Sequence, residues 1–217
     1  MPTSHVSTSH VPTTQSRTYV HNRAERIHED FDHRREALRE RLQDQDFLAN
    51  KGIGNEIGFY TFCYDPSLEF ECRAYVDELK ADAQAGKLPC NLQVFNLYDV
   101  MLDICEQRRI LRAIPRREAK IGSEAQVKEL QKPCSSKSFA QYLLEHTQPH
   151  QPGDVILLTG VGEVFPLLRV HNLLNDMLAD FGTVPVVVMY PGSFDGRQLK
   201  LFNKENASNY YRAFDIS

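Results

Sequence analysis

The chain has no Cys-x-x-Cys pair, no Gly-x-x-x-x-Gly-Lys-Ser/Thr string, no complete Gly-x-Gly-x-x-Gly string and no apolar run of membrane-spanning length. Each absence removes a class of function. Without the P-loop string there is no ready cradle for a triphosphate, and without a third glycine the dinucleotide fingerprint is incomplete. The five cysteines, Cys63, Cys72, Cys90, Cys105 and Cys134, are odd in number and unpaired by spacing. Neither a disulfide framework nor a zinc knuckle is expected, and buried free thiols in a reducing compartment are. A spanning helix needs roughly 18 or more apolar residues, and the N-terminus has no apolar signal core. The expectation is a cytoplasmic protein that makes no membrane contact. Basic excess is missing too. The net charge is −4 and the pI about 6.1, so no global field draws the chain to nucleic acid, although a local basic patch stays open.

What is present reads as one folded domain: 217 residues, 41% hydrophobic and 25% charged. Residues 1–18 are Ser, Thr, His and Pro with little to bury and read as a disordered tail, leaving 19–217 as the domain. His5 and His10 in that tail carry no expected role. The domain opens on an amphipathic helix from Tyr19 to about Leu42, with Val20, Ala24, Ile27, Phe31, Leu38 and Leu42 on one stripe. Its other faces are dense in mixed charge. They read as a solvated surface with i,i+4 pairs, or as a face that docks an acidic partner.

Strands and helices then alternate. Ile57–Tyr64 is aromatic and β-favouring, and Asp65-Pro66 ends it. Leu68–Ala85 is helical, with Phe70, Tyr75, Val76 and Leu79 expected inward and Gly86 as its stop. Leu92–Asn96 is a second strand. Tyr98–Ile114 reads as one helix up to Pro115. Two shorter helices, Glu124–Gln131 and Ser138–His146, flank Pro133. Val155–Thr159 and Val184–Tyr190 are apolar runs that read as strands buried on both faces. Arg197–Phe202 suits an edge strand, and Tyr210–Ile216 an antiparallel addition beside it. The pattern predicts a three-layer α/β fold: a mostly parallel sheet of about four to six strands flanked by helices, Rossmann-like or degenerate P-loop-like without Walker motifs.

The candidate site is the rim where such strands end. The turn Thr159-Gly160-Val161-Gly162-Glu163 sits there, but Val164, Phe165 and Pro166 follow where a phosphate loop needs glycine. Glu163 in the first helical turn already compensates the helix dipole and repels phosphate. A structural turn or protein-contact loop is the preferred reading over an unusual ligand site or a nucleotide site. Arg169, His171 and Asn175 follow on the next helix, where His171 and Asn175 share a face. Pro191-Gly192-Ser193-Phe194-Asp195-Gly196 is a second glycine turn. If its strand neighbours the first, Asp195 and Glu163 form a carboxylate pair suited to acid–base work or Mg²⁺. Tyr210, Tyr211 and Arg212 are residue types common at binding hot spots, although a packed terminal strand explains them equally. His146 and His150 are broken apart by Pro149 and do not read as a metal pair. Arg34, Arg35, Arg108, Arg109, Arg112, Arg116 and Arg117 are the cations available for nucleic acid, the last five clustering if their helix continues to Pro115. No catalytic residue, cofactor or metal ligand is assigned.

Several strings occur together in order: Phe47-Leu48, Asn50–Tyr60, Asn96-Leu97-Tyr98-Asp99, Gly160–Pro166 with Arg169 and His171, Tyr190-Pro191-Gly192 with Asp195-Gly196, Leu201-Phe202, and Asn209–Phe214. In this combination the chain, over roughly residues 30–217, resembles the BrxB family of bacterial BREX phage-exclusion systems. It departs from that pattern at Asn203, where the family has glycine, and along Lys204–Ser208. The resemblance implies a defence role beside a site-specific DNA methyltransferase, a large ATPase and PglZ, a metal-dependent protein of the alkaline-phosphatase superfamily. It implies a non-catalytic adaptor that binds PglZ, with the ATPase and the methyltransferase as further candidate partners and direct nucleic-acid contact left open. The surfaces expected to act are the N-terminal helix and a rim of Gly160, Gly162, Glu163, Phe165, Arg169, His171, Pro191, Gly192, Asp195, Gly196, Tyr210, Tyr211 and Arg212.

Overall fold

The computed structural model describes residues 14–51, 58–195, 198–206 and 213–216. Residues 1–13 of the expected tail, the turn at Gly52–Glu56, Gly196, and Tyr210, Tyr211 and Arg212 lie outside the described residues. A parallel sheet organises the rest. Strands β1 (Phe59–Tyr64), β2 (Asn91–Asn96), β3 (Asp154–Thr159) and β4 (Val186–Phe194) pair in parallel with the two-residue β7 (Phe214–Asp215) in the order β2-β3-β4-β1-β7. Two short strands extend it: β5 (Leu199–Leu201) pairs antiparallel with β4, and β6 (Glu205–Asn206) with β5. The three-layer α/β architecture is therefore as expected, with seven strands once the short ones are counted.

Side-chain alternation splits the core in two. Phe62, Tyr64, Val155, Leu157, Val187 and Met189 face α1 (Thr14–Arg41), α2 (Gln45–Leu48) and α3 (Glu69–Gln84). Phe59, Cys63, Ile156, Leu158, Val186 and Val188 face the other helical layer. That layer holds α4 (Leu97–Gln107), α5 (Ile114–Ile121), α6 (Ser123–Leu130), α7 (Ser136–Thr147), α8 (Val161–Val164) and α9 (Val170–Met177). From β1 the chain crosses by α3 over two strands to the sheet edge. It returns through β3 to β4 on the opposite face, as right-handed crossovers require.

The first helix is fastened rather than merely solvated. Phe31 meets Phe62 edge-on at 5.8 Å. The Tyr75 hydroxyl donates to the Arg35 carbonyl at 2.7 Å, and the Arg35 guanidinium lies 4.7 Å above the Tyr75 ring. Arg35 and Arg39 both pair with Glu78 on α3, Arg39 also reaches Asp82, and Arg34 pairs with Asp215 at 2.9 Å. A hydrogen bond from Lys87, aided by Arg39, holds the Asp82 carboxyl below its ordinary pKa. Arg34, Arg35 and Arg39 of this charged helix thus pair with acidic residues of their own chain.

Four expectations need correction. Phe70 points outward, 81% exposed, because the inward stripe of α3 is Cys72, Tyr75, Val76 and Leu79, and Phe70 lies half a turn from it. The helix after β2 stops at Gln107, with Arg109 at φ 59°, and Pro115 opens α5 instead of interrupting a long helix. The second glycine turn is strand: β4 runs through Pro191 and Gly192 to Phe194. Proline is tolerated there because β3 pairs with β4 only as far as Val188. The terminal strand β7 joins β1 in parallel, not the edge strand antiparallel.

Two substitutions test this packing. A Cβ on Gly192 would stand 2.1 Å from the Lys200 carbonyl oxygen. Gly192→Ala is expected to cost about 2 kcal/mol through overpacking against backbone, seen as a melting temperature roughly 4–8 °C lower. Phe31, 4% exposed, should cost about 3 kcal/mol on truncation to Ala, and hydrogen exchange should show α1 losing protection before the sheet.

Candidate functional site

Three parallel strands, β2 and β3 side by side and β1 beyond β4, end on one edge and present their connections to one crevice. At the end of β1, Asp65 caps the 3₁₀ turn Pro66–Leu68, accepting the Ser67 amide at 3.0 Å, and α3 follows at once. At the end of β2, the Asn96 side-chain oxygen caps α4, accepting the Tyr98 amide at 2.7 Å. At the end of β3, Gly160 adopts φ 74° and starts the single turn α8. The chain leaves β1 on one face and β2 and β3 on the other, which is where α/β sheets open a ligand crevice. A cleft of about 300 Å³ lies there, between α3 and the ends of β2 and β3.

One chain of polar contacts closes its floor. Glu163 accepts from Arg73 Nη2 at 2.8 Å through one oxygen and from Asn96 Nδ2 at 2.9 Å through the other. Arg73 Nε donates to Glu69 at 2.8 Å, and the second Glu69 oxygen accepts the Tyr64 hydroxyl at 2.6 Å. Tyr64, Glu69, Arg73, Glu163 and Asn96 thereby tie β1, α3, α8 and β2 together. Hydrogen bonds from Arg73 to Glu69 and Glu163 raise the Arg73 pKa. Burial pushes the Tyr64 hydroxyl up, reinforced by Cys72 and Glu69. Burial and the Glu69 charge push the Cys72 thiol up to about 12.

This chemistry suits neither a nucleophile nor a phosphate. Tyr64 and Cys72 hold their protons at neutral pH, and the Glu163 carboxylate is engaged on both oxygens. A Cβ on Gly160 would sit 2.4 Å from Asn96 Oδ1 and 3.0 Å from Glu163 Oε2. Acceptor oxygens therefore crowd the turn where a phosphate loop needs open amides. Among the described residues no group of three His, Cys, Asp or Glu is placed to hold a metal ion.

The sequence-predicted residues divide. Gly160, Gly162 and Glu163 line a shallower depression together with Pro191 and Phe202. Phe165 is half-buried, with the Phe202 ring edge-on at 6.5 Å and the Arg169 guanidinium 5.6 Å above it. His171 is buried and Asn175 exposed, so they present no common face. Burial and nearby Arg169 lower the His171 pKa. Each carboxylate of the expected pair has other partners. With β4 running on past Pro191, Asp195 is carried into the β4–β5 turn, where it accepts the Gln198 amide at 2.8 Å and pairs with Lys200 at 3.3 Å. Glu163 keeps its own partners, Arg73 and Asn96. Sequence reasoning did not name Arg73, and it assigned no site role to Asn96, Phe70, Tyr98 or Phe202. The phase of the α3 stripe was the available signal for Phe70.

The buried thiols give a direct check of this protonation state. With Cys63, Cys72 and Cys134 raised to about 12, mainly by burial, the thiolate is on the order of one part in 10,000 at pH 8. All five cysteines are buried. Dithionitrobenzoate is expected to label none of them within minutes on the native protein and all five in denaturant. Rapid native labelling of Cys72 would contradict a protonated thiol in the cleft.

Comparison with known proteins identifies the lineage. The family model described as BREX protein BrxB matches residues 93–216, from β2 to the end of β7. A BREX protein BrxB of Bacillus cereus (strain H3081.97) is 38% identical over 184 residues, covering 81% of this chain and 92% of the relative. A BREX protein BrxB of Escherichia coli O9:H4 (strain HS) is 29% identical over 187 residues, covering 86% and 91%. No solved structure matches. The matched span takes in the capped end of β2, the Gly160–Glu163 turn and the β4–β5 extension, and on these grounds the chain belongs to the BrxB family of BREX proteins.

Proposed function

We propose that the protein is a non-catalytic component of a BREX anti-phage system, an adaptor that binds a PglZ-type partner of the alkaline-phosphatase superfamily through the strand-end rim. One observation carries this reading. Of the exposed large hydrophobic side chains, Phe70, Tyr98 and Phe202 all stand at that rim. Phe70 neighbours Glu69 in the first turn of α3, Tyr98 follows Asn96 in the first turn of α4, and Phe202 packs over Gly162. Aromatic side chains left in water around a polar centre are the usual anchors of a protein interface. The polar centre itself, Glu163 with Arg73 and Asn96, is satisfied internally, so it supplies shape and rigidity rather than chemistry.

The partner class comes from the family resemblance. The rim supports protein contact over small-molecule chemistry. Binding anchors the second protein by inserting Phe70 and Tyr98 into apolar pockets, with Arg73 and Asp99 at their side. The larger BREX components, the ATPase and the methyltransferase, are reached through that partner.

Co-purification with the PglZ-type protein tests the assignment. The double variant Phe70→Ser/Tyr98→Ser should fold normally, with a melting temperature within about 2 °C of the parent, since exposed substitutions shift stability by roughly 0.5 kcal/mol or less. Loss of two anchors at over 1 kcal/mol each should weaken association at least ~10-fold. Wild-type affinity in the folded double variant would falsify the placement. Failure of the parent protein to bind any PglZ-type partner would remove the adaptor reading itself.

A further inference from the structure

We propose that the exposed edge of α5 and the turn before it bind the phosphate backbone of double-stranded DNA without reading its sequence. This proposal rests on different residues from the rim and does not depend on the adaptor reading. Charge in this protein is segregated. Residues 108–137, the connection from α4 to α7, hold nine Lys or Arg against three Glu, a net of +6, while the whole chain is −4, leaving −10 elsewhere.

Within that connection the acidic groups are already used. Glu129 pairs with Arg117, Glu124 with Lys128, and Glu118 accepts the Ser123 hydroxyl. Arg112, Arg116 and Lys120 are exposed, and none has an acidic partner among the described residues. Arg112 lies in the 3₁₀ turn Leu111–Ala113 that leads into α5, and Arg116 and Lys120 follow at steps of four. Arg116 and Lys120, four apart within α5, share one stripe, and Arg112 stands on the 3₁₀ turn that leads into it, so the three are spread over roughly 12–13 Å of the segment. The apolar residues of the same segment, Ile110, Leu111 and Ile114, turn the other way and pack on the core.

The occupant follows from the composition of this face. A protein interface centres on apolar and aromatic side chains and depletes lysine, and this stripe offers only cations. Three cations with no large apolar side chain exposed between them, Ile121 lying beyond Lys120, match a regularly spaced polyanion instead. Three phosphate contacts predict a salt slope of about −2.7 in log K against log salt. Affinity should then fall about 40-fold between roughly 50 and 200 mM salt.

The test is fluorescence anisotropy of a labelled duplex of about 20 base pairs, titrated with the full chain at several salt concentrations. Micromolar binding at low salt, with that slope and no preference between two unrelated sequences, is expected. The folded triple variant Arg112→Ala/Arg116→Ala/Lys120→Ala should bind at least ~10-fold more weakly with a flatter slope. Arg112→Lys/Arg116→Lys should keep binding, and Phe70→Ser should leave it unchanged. The proposal is overturned by absence of binding at low salt, by unchanged binding of the triple variant, or by poly-glutamate competing as well as DNA. The last result would make the stripe a site for an acidic protein.

Discussion

Everything in this fold follows from strands that are apolar on both faces. Phe62, Val155, Leu157, Val187 and Met189 on one side, and Phe59, Ile156, Leu158, Val186 and Val188 on the other, must all leave water. A sheet of that kind is stable only when covered twice. The chain meets the demand by sending α3 back across one face and the longer connections across the other. That choice sets the handedness, leaves the strand ends on a single rim and opens the crevice between them. The N-terminal helix completes the cover. Its arginines meet Glu78, Asp82 and Asp215, so its charge is spent on the chain's own α3 and β7 rather than on solvent.

At the rim the strand ends of a parallel α/β sheet are closed by the chain's own side chains. The geometry that usually presents open amides to a phosphate is retained in Gly160, but Asn96 and Glu163 fill the space with acceptors. Arg73, whose charge would otherwise serve an anionic ligand, is paired with Glu69 and Glu163. The crevice is thus braced from within, and Phe70, Tyr98 and Phe202 are exposed beside it. The β4–β5 extension reinforces the brace. Close approach of the Lys200 carbonyl demands glycine at 192, and the Phe202 amide donates to the Pro191 carbonyl at 2.8 Å.

The sheet and its flanking helices were legible in the sequence because continuous apolar runs and helical stripes are signals of short range. The family was legible too, from strings that are ordinary singly and specific together. What escaped depended on tertiary partners. A Pro-Gly pair signals a turn, yet β1 pairs with β4 as far as Pro191 and strand continues. That continuation places Asp195 in the β4–β5 turn, where it accepts the Gln198 amide and pairs with Lys200. The single helix drawn from Tyr98 to Ile114 broke at Arg109, where the backbone turns to positive φ without a glycine to announce it. Phe70 was read by its hydrophobicity instead of its phase, and phase decides which way a helical side chain faces.

The broken helix matters beyond bookkeeping of elements. Had α4 run on to Pro115, Arg108, Arg109, Arg112, Arg116 and Arg117 would have clustered toward one side of a continuous helix. The break separates them by role instead. Arg108 donates to the Ser138 hydroxyl at 3.1 Å and Arg117 is tied to Glu129 across to α6. Arg112 and Arg116 are left to solvent with Lys120. The ion pair between α5 and α6 orients the hairpin, and the unpaired cations inherit a fixed line from it. A chain whose net charge is negative therefore carries a localised positive edge, and its aromatic rim is a separate surface. The cations and the exposed aromatic side chains thus lie on different elements, α5 with the turn before it on one hand and the starts of α3 and α4 on the other.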